Sequence, residues 1–230
     1  MSGFVPERDP RDYATMTATN RTPATESGDL MAGDLRTVER FAVNQKITMM
    51  VNRYEIRELL PDGSTGGLLA FAQQKRLAFK EEVTFYTDEQ RTQPVFSFKA
   101  RQRMDLGATY DVLDAAGQPI GWFRKDFGKS LLRSTWHMGF ANSPVELFGQ
   151  ERNKNVAIAR RVWEFVPFLN DLPSPFVFHF DFTDPDGTIL LSSQRKRALR
   201  DRYEVDVPGA RLDGRLAAAM AVALDALQSR

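Results

Sequence analysis

The chain contains no cysteine. Disulfides, thiolate metal sites and cysteine nucleophiles are thereby excluded. Its two histidines, His137 and His179, are too few for a His-rich metal cage, so neither a metal nor a cofactor is expected. An excess of one charge is also missing. Thirty-one Lys and Arg stand against 30 Asp and Glu, and the formal net charge of +1 selects no partner. No apolar run approaches the roughly 20 residues needed to span a bilayer. The N-terminus, MSGFVPERDPRDYATMT, has neither a basic n-region nor an apolar h-region. It does not read as a secretory signal, and a cytoplasmic location is expected.

What is present is most informative at the end. Residues Leu216 to Leu224 (LAAAMAVAL) carry no polar side chain and consist almost wholly of strong helix formers. At 3.6 residues per turn such a run faces every direction, so no side of the helix is left for water. Asp225 ends the run too early for a membrane span, so protein must surround it. Asp213 is placed to cap its start.

The preceding chain supplies the surround. ITMMVNRYEIREL, QQKRLAFKEEVTFYT, PVFSFKARQRM, ATYDVLD, QPIGWFRKDF, KSLLRSTWHM, FVFHFDF, TILLSS and RYEVDV read as short strands. Turn chemistry separates them at Pro61-Asp62-Gly63, Asp88-Glu89-Gln90, Asp105-Leu106-Gly107, Ala115-Ala116-Gly117, Asp184-Pro185-Asp186-Gly187 and Pro208-Gly209. Alternation puts Phe96 and Phe98, Tyr110 and Val112, and Phe176, Phe178, Phe180 and Phe182 on common faces, with Val177, His179 and Asp181 opposite. Between them, Val156, Ala159, Trp163 and Val166 recur at helical spacing and predict an amphipathic surface helix that Pro167 stops. The expectation is a mainly β fold, a closed antiparallel barrel around a central helix at residues 213–228, in one domain over 36–230. Residues 1–35, rich in Thr, Ala, Ser, Gly and Pro, are expected to be a disordered tail.

These segments, in this order, resemble the Tubby C-terminal-like superfamily, in particular its LURP-one-related and phospholipid-scramblase-like branch. The residues concerned are VNRYEI (Val51 to Ile56), KARQ (Lys99 to Gln102), TYDVLDAAGQPIGWFRK (Thr109 to Lys125), RSTWHM (Arg133 to Met138), FTDPDGTIL (Phe182 to Leu190), RYEVDV and LDGRLAAAMAVALDAL. The resemblance implies about twelve strands closed around the C-terminal helix. It also implies a non-enzymatic module, since Tubby-type members bind phosphoinositide head groups through basic residues and scramblase-like members associate with membrane phospholipids. The Asp-rich calcium segment of the scramblase-like members has no counterpart here, because Arg202 to Gly214 contains only the spaced acids Glu204, Asp206 and Asp213.

The strongest local charge feature is Arg195-Lys196-Arg197, followed by Arg200 and Arg202, with Lys75 and Arg76 on an earlier strand. Clustered guanidinium and ammonium groups suit an anionic phospholipid or membrane surface. The competing reading is a strand edge whose basic residues block pairing. A second group, Arg152, Lys154, Arg160 and Arg161, lies on or beside the polar side of the expected surface helix. No helix-turn-helix, zinc-finger or RNP pattern points to nucleic acid. For catalysis, His137 with Asp126 and His179 with Asp181 are the pairs to weigh. Residues two apart on a strand share a face, so Asp181 would raise the His179 pKa. No nucleophile elbow, metalloprotease helix or phosphate loop accompanies either. Asp184 and Asp186 fit a turn better than a calcium loop. Asp225, near a helix C-terminus, is expected at a barrel mouth, in water or paired with a barrel Arg or Lys. A peripheral anionic-lipid binder is therefore expected, with a scaffold that recruits another protein as the alternative.

Overall fold

The structure, a computed structural model, describes residues 34–47, 51–75, 82–101, 109–126, 134–152, 179–196 and 202–228. Twelve antiparallel strands close into a barrel, each paired with its sequence neighbours, and β1 completes the ring against β12. They are β1 (Arg40–Ile47), β2 (Val51–Leu59), β3 (Thr65–Lys75), β4 (Glu82–Tyr86), β5 (Pro94–Ala100) and β6 (Thr109–Asp114). There follow β7 (Pro119–Lys125), β8 (Thr135–Phe140), β9 (Glu146–Glu151), β10 (His179–Thr183), β11 (Ile189–Lys196) and β12 (Arg202–Asp206). A short 3-10 turn at Pro208–Ala210 leads into the helix α1, Gly214–Gln228. Among the described residues no helix is long and apolar enough to cross a membrane.

Period-two alternation builds the interior. Phe96 and Phe98, Tyr110 and Val112, and Phe180 and Phe182 all face inward and are buried. Phe85 stacks on Phe96 with centroids 4.1 Å apart, and Tyr110 on Phe123 at 5.3 Å. Every residue from Leu216 to Leu224 is buried in the same cluster. Bulky rings on the wall leave a narrow bore, and the alanines of α1 fit it. Each fully buried large apolar side chain contributes about 1.5–3 kcal/mol, so the wall and the helix stabilise each other.

Two glycines set how closely the layers approach. A Cβ on Gly121 would lie 2.5 Å from the Gly139 carbonyl oxygen and 2.7 Å from Leu216 Cδ2. One on Gly149 would lie 2.2 Å from the Phe182 ring. At the helix start, Asp213 Oδ1 accepts the Arg215 N–H at 2.9 Å and its carbonyl accepts Leu216 N–H at 3.0 Å, the cap anticipated above. Leu35 also packs into the core there, and the Val207 N–H donates to the Glu39 carbonyl at 2.7 Å.

Several strand boundaries differ from the sequence expectation. The run from Ile47 is two strands, with β1 beginning at Arg40, and QQKRLAFKEEVTFYT divides between β3 and β4. Strand β9 carries no clear sequence signal, because Gly149 reads as a break when it is in fact the space for Phe182. Of the tail expected over 1–35, Asp34 and Leu35 belong to the fold, Leu35 being buried in the core, and residues 1–33 lie outside the described residues, as do the Asp105-Leu106-Gly107 turn, the helix expected over Val156 to Val166 and Phe176 to Phe178.

Candidate functional site

An up-and-down barrel has two ends, and here they differ. At one end lie the tight turns, including Asp114 to Gln118 and Asp184 to Thr188, where Gly187 adopts φ +83° and Asp184 Oδ1 accepts the Thr188 N–H at 2.8 Å. Helix α1 enters from this side. At the other end β1, β3, β5, β7, β9 and β11 finish, at Ile47, Lys75, Ala100, Lys125, Glu151 and Lys196. The C-terminal end of α1 points there.

The barrel brings the two halves of the predicted basic group to that same end, Lys75 closing β3 and Arg195-Lys196 closing β11. The Lys75 side chain, together with Arg76, Arg197 and Arg200, lies outside the described residues. The other two residues do not form one patch. Successive residues of a strand point to opposite faces. Lys196 faces outward and pairs with Glu204 at 3.1 Å, which also takes Arg202 at 3.4 Å. Arg195 is paired across the ladder with Tyr203, an inward residue of the core, and shares its face. The strand-edge alternative fails as well, since β11 lies between β10 and β12 in a closed ring.

The outer wall is largely charge-compensated. Arg152 binds Asp181 through two nitrogens at 2.6 and 2.8 Å, Arg101 meets Asp111 at 2.7 Å, Arg40 meets Asp206 at 2.8 Å and Arg124 meets Glu146 at 3.2 Å. Such exposed pairs contribute little stability, but they remove net charge from the wall.

Inside the end where α1 terminates, a polar set surrounds Asp225. The Tyr54 hydroxyl donates to its Oδ2 at 3.0 Å, and the Tyr203 hydroxyl donates to its Oδ1. Gln45 Nε2 donates to the Tyr54 oxygen at 3.4 Å, and the Asn52 amide bonds the same hydroxyl. Burial, and then the Asp225 charge, push the Tyr54 pKa far upward, so its hydroxyl remains a neutral donor. Asp225 lies at the end of the barrel where α1 terminates, as expected, and tyrosine hydroxyls of β2 and β12 bond its carboxylate. The sequence did carry a signal for this: Tyr54 and Tyr203 fall on the inward phase of their strands.

The two histidines lie on the outer wall. His179 Nε2 is 3.5 Å from Asp181, sharing a face as expected, yet its pKa is lowered rather than raised. Burial is the main cause, and the Arg152 guanidinium on Asp181 adds to it. Ser192 Oγ donates to Asp181 Oδ1 at 3.0 Å and lies 3.0 Å from His179 Nε2. Serine thus stands between histidine and carboxylate, which is not the order in which a histidine activates a nucleophile. His137 lies between Asp126 at 3.3 Å and Glu146 at 2.6 Å, its two ring nitrogens facing different acids. Among the described residues no cluster of three or more His, Asp or Glu could hold a metal ion.

A family model described as LURP-one-related matches residues 69–225, more than half of the chain, and the protein belongs to that family. The matched stretch begins within β3 and ends at Asp225. No curated protein and no solved structure matches the chain.

Proposed function

We propose that this LURP-one-related protein is a non-enzymatic module that binds anionic phospholipid head groups with the end of its barrel where α1 terminates, working in the cytoplasm and peripheral to the membrane. One observation carries the reading. The ladder gathers Lys75, Arg195 and Lys196, distant in sequence, at the end where α1 terminates. Arg101 and Arg152, which follow the ends of β5 and β9, add two more cations there, each bound to a carboxylate as Lys196 is to Glu204. Docking is therefore end-on, with the turn end facing away. The resemblance to Tubby-like and scramblase-like proteins points the same way. Against an enzyme stand the order of Ser192, His179 and Asp181 and the split attention of His137.

Vesicle co-sedimentation tests this. Wild type is expected to pellet with vesicles containing acidic lipid and to stay in solution with neutral ones. Each basic residue near an acidic surface contributes about 1 kcal/mol, so Lys75→Glu and Lys196→Glu should each weaken binding severalfold, and both together by more than tenfold. Reversing Arg40, at the turn end and paired with Asp206, should change little. Equal binding to neutral and acidic vesicles, or binding to neither, sinks the reading and favours a scaffold that recruits a protein partner.

A further inference from the structure

The outer wall departs from charge balance where β12 closes on β1. Four consecutive strands of the ring, β11, β12, β1 and β2, carry Lys196, Arg202, Lys46 and Arg53 there. Register sets Lys196 directly opposite Arg202 and Lys46 directly opposite Arg53, all on the outward phase of their strands.

We propose that this seam binds an extended acidic segment of a partner protein. The inference stands apart from the lipid reading and shares only Lys196 with it.

The first reason is the pairing. Like charges directly opposite each other across a ladder are destabilising. At other places on the wall the opposed residues are complementary, Arg40 with Asp206 and Glu82 with Lys99. Two like-charged pairs side by side are a cost that carboxylates from another chain would offset.

The second reason is depth. Glu55 meets Lys46 and, at 3.0 Å, Arg57, while Glu204 meets Lys196 at 3.1 Å and Arg202 at 3.4 Å. The side chains of Glu55 and Glu204 are only 5% and 20% exposed, against 41% for Lys46 and 40% for Lys196. The carboxylates lie at the base, so the surface itself is cationic. Arg53 is exposed, and among the described residues no carboxylate pairs with it. Arg202 Nε is buried without a hydrogen-bond partner, so its own chain does not fully satisfy that guanidinium.

The third reason is shape. With neighbouring strands about 4.8 Å apart, the four cations run along roughly 15 Å of wall. Alternate residues of an extended chain lie about 6.6 Å apart on one side, so acids at three alternate positions match that line. A lone phosphate would reach only part of it. The ring has no free strand edge here, so the segment cannot add as a further strand and is held by side chains, for which guanidinium and carboxylate are well matched. The turn between β2 and β3 bounds the line on one side. Its Gly63 carbonyl accepts Arg202 Nη2 at 2.9 Å, and the neighbouring Asp62 repels an acidic chain.

Fluorescence anisotropy with a short labelled peptide of alternating Glu and Thr tests this, beside a matched peptide with Gln in place of Glu. The Glu peptide is expected to bind at low salt and the Gln peptide not to. Arg53→Glu, which leaves no carboxylate unpaired, and Lys46→Gln, which leaves Glu55 with Arg57, should each weaken binding severalfold and together more than tenfold. Arg40→Glu should change little, and circular dichroism checks that each variant is folded. Equal binding of the two peptides, or equal weakening by Arg40→Glu and Arg53→Glu, overturns the inference. So does tighter binding of a single-stranded oligonucleotide that Arg53→Glu abolishes, which would give the seam to nucleic acid. Vesicle binding that falls further with Arg53→Glu than with Lys75→Glu would place the membrane on the seam and also overturn it. Loss of vesicle binding in the wild type alone sinks the lipid reading and leaves this one standing.

Discussion

Tyr54 and Asp225, 171 residues apart in the chain, meet through a 3.0 Å hydrogen bond at the end of the barrel where α1 terminates. Tyr203 completes the arrangement from β12, so the C-terminal part of the helix is tied to two strands that bracket β1.

The tie has a measurable strength. Replacing Tyr54 by Phe removes a donor to a partly buried carboxylate and should lower unfolding free energy by about 1–3 kcal/mol. Tyr203→Phe should do likewise. The two share one acceptor, so the double variant should depart from additivity. Denaturant titration of the four proteins gives the coupling. A strictly additive cycle would show that the hydroxyls do not act through Asp225 together.

Gly121→Ala should be among the most damaging small changes. Its methyl would meet the Gly139 carbonyl at 2.5 Å, a backbone contact that no side-chain rotation relieves, as well as Leu216. Overpacking of this kind costs about 1–3 kcal/mol and sometimes more. Adding Leu216→Ala should fail to restore stability, because the backbone clash remains. A rescue, measured by thermal melting, would place the conflict in the side chain alone.

Residues 69–225, the span of the family match, should not fold by themselves. They lack β1 and β2, and without β1 the inner edge of β12 has no partner and the ring stays open. A fragment spanning 34–230 retains all twelve strands and should give a cooperative melt. Expressing both and recording circular dichroism and amide spectra decides the matter. Well-dispersed resonances from the shorter fragment would contradict it.

Acid should destabilise the fold in two stages. Burial, followed by Arg152, lowers the His179 pKa below its ordinary 6.5. The unfolded chain therefore takes a proton that the folded one refuses. Stability that is complete above about 6.5 is lost as pH falls through the folded pKa. Glu55 follows. Burial alone would raise its pKa, but hydrogen bonds from Lys46 and Arg57 outweigh it and hold the carboxyl below its ordinary 4.5. Its contribution, present above that value, is lost as pH falls through the depressed folded pKa. His179→Gln should flatten the first stage and Glu55→Gln the second, read as unfolding free energy against pH. A first stage that persists unchanged in His179→Gln would assign it elsewhere.

Much of the molecule was legible before any coordinates. Phe96, Phe98, Tyr110, Val112, Phe180 and Phe182 were assigned to common faces by alternation, and all are buried. The turn at Asp184 to Gly187 and the Asp213 cap were likewise readable, because they depend on a few adjacent residues. Strand β9 was not, because Gly149 takes its meaning from Phe182, a residue on another strand. Of the candidate site, Arg195 and Lys196 are legible in the sequence as adjacent cations, but their faces are not, since the ladder puts Arg195 on the face of Tyr203 and Lys196 beside Glu204.

By itself, the sequence determined that an apolar helix had to be enclosed and that short alternating strands would enclose it. Both follow from local periodicity and from the cost of leaving apolar surface in water. Only the tertiary structure decided which strand meets which, which end gathers the cations, and that tyrosines from two different strands bond Asp225. Those outcomes depend on register between residues as far apart as Tyr54 and Asp225, and register is a property of the closed barrel, not of any stretch of chain.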